Sequence, residues 1–313
     1  MNEEYLVIGK NNPAVYPELT LWGWPIAVYL FLGGLAAGIM IFYSLSFLIR
    51  GENGQSATIR KVSLLVPPAL VLGLLCLLID LHNLPQSWRL FTIIRWESPM
   101  SWGAWTLLLI TPLSVLWCLR YIRELYPTIS FPAHWYTKLE ARIDKHRKWV
   151  AWSILVLSLV LGIYTGILLS AFNARPLWNN SVLGLLFLVS GLSTAAALII
   201  WSSHNRKELQ LFRRLDIGLI VIELLLIIHM FMGLLAGTAI QVSTAEMFLG
   251  GSYALAFWGL VVTIGLVIPI VIEIAESLGL KTPHFVAPAL VIIGGLAFRI
   301  ILVYAGQVSS FPA

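Results

Sequence analysis

Charge is what this sequence has least of. Asp, Glu, Lys and Arg make up 11% of its 313 residues, where a water-soluble globular chain carries roughly a quarter, so a fold built wholly in water is excluded. Cysteine is nearly absent as well. Cys76 and Cys118 sit in separate apolar runs with no C-x-x-C spacing, which offers no iron–sulfur cluster, zinc site or plausible disulfide. Any metal chemistry belongs to a partner. Of six histidines only His82 and His229 lie in or near apolar segments; a membrane b-type haem needs two facing axial ligands, so at most one haem is possible, and the expectation is none. The net charge is +5, but the basic residues fall between apolar runs, where membrane topology accounts for them and nucleic-acid binding is not required.

What is present is apolar length. Hydrophobic residues reach 59% and the mean hydropathy is +0.87. A helix needs about 20 apolar residues to cross the ~30 Å bilayer core, and runs of that kind recur eight times: Trp22–Leu48, Val62–Leu84, Trp102–Leu119, Trp149–Ala171, Val182–Trp201, Leu215–Ala236, Tyr253–Ile274 and Phe285–Tyr304. The expected fold is therefore an all-α integral membrane protein with eight transmembrane helices. Residues 1–21 are polar and lack the charged, apolar and small-residue segments of a signal peptide; they read as a mature outer segment.

Lys and Arg set the orientation. Fifteen lie in the segments after spans one, three, five and seven, four lie on the opposite side, and Arg299 lies inside span eight. The positive-inside rule then puts both termini outside. The longest inner segment, Arg120–Lys148, includes a Trp135–Lys148 stretch able to form a basic helix on the inner leaflet, but the expected reading is a solvated topogenic loop. Gly34-Leu35-Ala36-Ala37-Gly38 has a weak echo in Gly191-Leu192-Ser193-Thr194-Ala195. This points to two four-helix bundles in parallel repeat, residues 22–171 and 172–313. Small residues at these spacings serve close helix approach.

Ionisable side chains inside spans are costly and mark function by default. At ~1.5 Å rise per residue, Tyr29, Asp80, His82, Tyr164, His229 and Arg299 all fall at or near the outer side, drawn from five different spans. That common depth makes them the candidate site. Plainer readings stand beside it: Asp80 paired with Arg299, Arg89 or Arg95 as a helix tie, His82 solvated at the interface, the tyrosines in a membrane belt. Arg299 is the hardest to explain away, since it cannot shed its charge. Glu223 lies deeper and Glu273 near the inner end, a possible proton route inward.

Four stretches carry a resemblance, in order along nearly the whole chain: Phe31 to Gly38; Asp80 through Ser98-Pro99-Met100-Ser101-Trp102-Gly103-Ala104-Trp105; Ile163-Tyr164-Thr165-Gly166 with Arg175-Pro176-Leu177-Trp178; and Gly294-Gly295-Leu296-Ala297-Phe298-Arg299 leading to Tyr304-Ala305-Gly306-Gln307. With these the chain resembles the NrfD-like, polysulfide reductase type of membrane subunit. The resemblance implies a multi-pass subunit of a bacterial or archaeal cytoplasmic membrane that exchanges electrons between menaquinone or ubiquinone and a ferredoxin-like subunit bearing four-iron clusters, itself serving a molybdopterin catalytic subunit on the outer face. It further implies that Tyr164 contacts the quinone and that Asp80 is the acidic residue ending the second span. Tyr29 stands where some relatives have histidine, and Ile26 where some have asparagine. Two readings of another class compete, a secondary transporter or proton channel and a purely structural anchor; helices broken near mid-membrane would favour transport.

Overall fold

The structure is a computed structural model that describes residues 22–51, 54–81, 88–125, 134–280 and 282–309. Among these residues it is entirely helical, and eight helical segments are long and apolar enough to cross a membrane. His82 lies outside the described residues.

The first helix, α1 (Trp24–Arg50), begins with Pro25 at a position whose N–H has no partner to lose, and ends where Gly51, at φ 67°, donates its N–H to the Phe47 carbonyl at 2.9 Å. The second span is not one helix. It divides into α2 (Ala57–Ser63) and α3 (Val66–Asp80), and the break falls just ahead of Pro67-Pro68, which lack the donors a continuous helix requires. α3 closes on Asp80 rather than at Leu84. A four-residue turn, α4 (Arg89–Thr92), leads into α5 (Pro99–Leu125). The basic stretch between the third and fourth spans, expected as a solvated loop, forms a helix instead, α6 (His134–Lys145), followed by α7 (Arg147–Ser170) and α8 (Leu183–Ser202).

The second half departs further from expectation. α9 runs from Arg206 to Leu235, nine residues earlier than the apolar run predicts, because Asn205 accepts the Lys207 N–H at 3.0 Å and caps a polar first turn. An unexpected helix, α10 (Ala239–Leu249), follows; Thr238 and Gln241 cap it reciprocally. The seventh span is π-helical over Leu255–Val267 and becomes regular only in α11 (Ile268–Ser277), at Pro269. The last helix is α12 (Val286–Val308).

Packing centres on α1, which contacts α3 and α7 from its own half and α8 and α12 from the other. Glycine makes the central crossing possible. A Cβ on Gly191 of α8 would stand 2.7 Å from the Gly34 carbonyl oxygen of α1, and one on Gly38 would overlap the Gly191 backbone. The two glycine stretches that echo each other in sequence thus lie against one another, with backbones in contact. The start of α1 and the end of α12 meet at one end of the bundle, where the Trp22 N–H donates to Gln307 Oε1 at 2.9 Å and Gln307 Nε2 donates to the Trp22 carbonyl at 2.6 Å.

Candidate functional site

The turn that opens α5 is tied down from several sides. The Ser101 N–H donates to the Ser98 carbonyl at 3.0 Å, Ser101 Oγ accepts the Arg95 N–H at 3.2 Å, and Trp102 Nε1 donates to the Trp96 carbonyl at 2.9 Å. Gly103 follows immediately. A Cβ there would fall on Cζ and the hydroxyl of Tyr164, so the Tyr164 ring lies directly on the α5 backbone and only glycine leaves it room. Two of the most specific sequence stretches, Ser98–Gly103 and Ile163–Gly166, therefore meet at one ring.

Behind that ring stands Tyr29 of α1. Its side chain adjoins Tyr164 and is 2% exposed, and its buried hydroxyl faces the Tyr164 side chain without forming a well-shaped hydrogen bond. A buried hydroxyl left short of a full hydrogen bond costs up to about 1–3 kcal/mol, a cost that a ligand oxygen would relieve. In front, a cleft of about 560 Å³ opens between the start of α5 and the flank of α7, lined by Trp96, Pro99, Trp102, Val160, Ile163 and Tyr164. Its size lies in the ~300–1,000 Å³ range of small-molecule sites. The lining is apolar except near Glu97 and the tyrosine.

Arg299 belongs to a different place. It is 1% exposed, and its Nη1 donates to Ser190 Oγ at 2.6 Å and to the Gly295 carbonyl at 3.0 Å, its Nη2 to the Phe187 carbonyl at 3.3 Å. The guanidinium sits over the rings of Phe187 and Phe298 at 5.3 and 5.5 Å, a cation–π cradle. A Cβ on Gly34 would lie 3.4 Å from Nη2. Gly34 is five residues past Tyr29, about 140° round α1, so Arg299 and the tyrosine pair occupy different sides of that helix. The acid within electrostatic reach of Arg299 is Glu223, not Asp80.

Beyond Glu223 lies a residue that sequence reasoning missed. Asp216 is fully buried in α9 and accepts Ser193 Oγ–H at 2.6 Å; Glu273, 1% exposed, adjoins it from α11. The line ends in the Arg213–Glu276 ion pair at 2.6 Å. A signal was present: Asp216, Ile220, Glu223 and Ile227 are spaced four, three and four, one face of a helix.

The remaining expected residues do not gather with the tyrosines. Asp80 is half-buried at the end of α3, accepts only the Gly23 N–H, at 3.4 Å, and makes no ion pair among the described residues. It shares a face of α3 with Gly73, whose Cβ would stand 3.5 Å from Tyr29 Cδ2; seven residues separate them, about 10 Å along the axis. Asp80 thus lies toward the bundle end from Tyr29 and is no direct neighbour of it. His229 is on the exposed face of α9 and joins neither group.

The family model described as "Polysulphide reductase, NrfD" matches residues 10–311. The chain is 31% identical to protein NrfD of Escherichia coli (strain K12) over 96% of its own length and 99% of that protein's. It is 30% identical to a polysulfide reductase component of Wolinella succinogenes, covering 98% and 99%, and 29% identical to the protein NrfD homolog of Haemophilus influenzae, covering 92% and 95%.

Proposed function

The chain belongs to the polysulphide reductase NrfD family, and on that premise we propose that it is the quinone-interacting membrane subunit of a respiratory oxidoreductase complex in a bacterial or archaeal cytoplasmic membrane. The partner it exchanges electrons with is an iron–sulfur subunit of the four-iron, ferredoxin-like kind, which serves a molybdopterin catalytic subunit. One observation carries this reading: Tyr164, seated on Gly103 at the wall of an apolar cleft, with the buried Tyr29 hydroxyl behind it.

These residues fit a quinone, menaquinone or ubiquinone. The cleft walls suit an apolar ring and the start of an isoprenoid tail, and two phenolic hydroxyls suit ring oxygens, since each can donate or accept. A quinol bound there supplies two electrons and two protons on oxidation. Tyr164 holds a ring oxygen by its hydroxyl and is itself held by α5. The neutral Tyr29 hydroxyl accepts the hydrogen bond of the second quinol O–H and relays that proton by releasing its own to water on the Asp80 side. Asp80, about 10 Å nearer the bundle end, passes protons to the aqueous surface through intervening water. Arg299 offsets the charge of Glu223 and keeps the α8–α12 contact in register.

A second reading rests on Asp216. Glu223, Asp216 and Glu273 form a buried line on the far side of α1, and with water between its members it could carry protons to or from the basic end. It is also the feature a proton channel or transporter would use. The interruption at Leu64–Leu65, by contrast, lies nearer the basic end of its span than the middle, where a transporter's broken helices are not expected. Isolation of the complex from native membranes tests the main reading: iron–sulfur absorption and extractable quinone accompany the chain if it is right, and a chain that purifies alone with neither overturns it.

A further inference from the structure

At the basic end of the bundle a separate cleft of about 690 Å³ opens between the last turns of α1 and the first turns of α9. Its composition is graded. Arg50 and Lys207 stand at the rim, Ile49 and Leu211 lie below them, and Phe42 and Leu215 lie at the far end, where Phe42 meets Phe212 edge to face at 5.3 Å. From Arg50 to Phe42, and from Lys207 to Leu215, is eight residues, about 12 Å of helix rise. Half the hydrocarbon core is ~15 Å, so the cleft has the length and polarity gradient of one lipid leaflet.

Neither Arg50 nor Lys207 makes an ion pair among the described residues. Between them and the apolar walls lie two buried oxygens without partners, Gln55 Oε1 and Glu208 Oε1, on side chains 5% and 8% exposed. Both are held in place: Gln55 Nε2 donates to the Tyr43 carbonyl at 3.0 Å, and Ser203 Oγ donates to Glu208 Oε2 at 2.7 Å. The cleft thus presents two cations and two acceptors awaiting donors, one of them an oxygen of the Glu208 carboxylate. A monoanionic headgroup with hydroxyl donors satisfies all of them. Phosphatidic acid carries at most one P–OH for two acceptors, choline has no donor at all, and ethanolamine, though its ammonium can donate, is zwitterionic and leaves the net positive charge of Arg50, Lys207 and Glu208 unbalanced.

We infer that this cleft binds a single phosphatidylglycerol molecule, with its phosphate between Arg50 and Lys207, its glycerol hydroxyls donating to Gln55 and Glu208, and its acyl chains along Phe42 and Leu215. Basic pockets between membrane helices are known anionic-lipid sites. The test reconstitutes the full chain in nanodiscs of equal phosphatidylglycerol, phosphatidylethanolamine and phosphatidic acid, strips lipid stepwise and counts what stays bound by native mass spectrometry. Phosphatidylglycerol should be retained last, as one molecule per chain. Arg50→Gln with Lys207→Gln should lower its preference over phosphatidylethanolamine about thirtyfold. Leu215→Trp, which fills the apolar end without altering charge, should lower its retention too, and covers the case in which the double variant fails to fold. Equal retention of the three lipids, or wild-type retention by the double variant and by Leu215→Trp, overturns the assignment.

Discussion

Replacing Gly103 by alanine adds one methyl group where Tyr164 Cζ and hydroxyl now lie. Two effects oppose each other. Alanine favours a helix over glycine by about 1 kcal/mol, while forcing an extra carbon into an occupied site costs typically ~1–3 kcal/mol, and here the occupied atoms belong to a buried ring, 6% exposed, with little room to retreat. The steric term wins locally, and the ring must swing away from α5. Because the hydroxyl is the part displaced, quinol-dependent turnover should fall about 10- to 100-fold, the range that ~1.4–2.7 kcal/mol of lost binding or positioning represents, while the net change in stability stays near ~1 kcal/mol. The assay is reduction of the partner's clusters by a quinol analogue in the purified complex, with subunit content measured alongside. Gly73→Ala is the control, since its Cβ would stand 3.5 Å from Tyr29, an ordinary contact. In a Tyr164→Ala background the Gly103 substitution should add almost nothing, because the two act through one ring. Unchanged turnover for Gly103→Ala, or a full additional loss in the Tyr164→Ala background, refutes the reasoning.

Tyr164→Phe keeps the ring on Gly103 and removes only the hydroxyl, so quinol-dependent electron transfer should drop about tenfold or more with assembly intact by subunit stoichiometry. Asp80→Asn should slow turnover while the complex still assembles, because the carboxylate holds only one long hydrogen bond, at 3.4 Å; loss of assembly on native gels would make it a structural tie. Arg299→Leu removes the donors that Ser190 Oγ and the Phe187 and Gly295 carbonyls accept and should cost about 1–3 kcal/mol for the buried acceptors left bare, seen as a lower melting temperature of the detergent-extracted chain.

Length, hydropathy and the distribution of Lys and Arg made the eight spans legible, because a bilayer imposes those quantities on any chain that crosses it. Azimuth was not legible. Sequence position alone put Tyr29, His229 and Arg299 in corresponding parts of their spans, yet His229 points outward from α9 and Arg299 faces α8 from beyond α1, since the direction of a side chain depends on which helices flank its own. Tyr29 and Tyr164 do adjoin. The salt bridge considered for Asp80 and Arg299 is absent because Ser190, Phe187 and Gly295 already occupy the guanidinium. Asp216 escaped notice because Arg213 and Arg214 beside it mark the end of an apolar run, whereas α9 continues about two turns past them toward Arg206 and buries Asp216 on the Glu223 face. α10 was not expected, although Thr238-x-x-Gln241 carried a capping-box signal for it. The π-helical stretch left no pattern in the residues by which to expect it.

The most direct measurement is photolabelling of the purified complex with an azido-quinone, followed by peptide mapping. The account predicts labelling of the α7 segment around Ile163–Ile167 and of the opening turn of α5, competed away by excess quinone and diminished by Gly103→Ala. Competed labelling confined to α9, α11 and α12, or none on this chain, would contradict it.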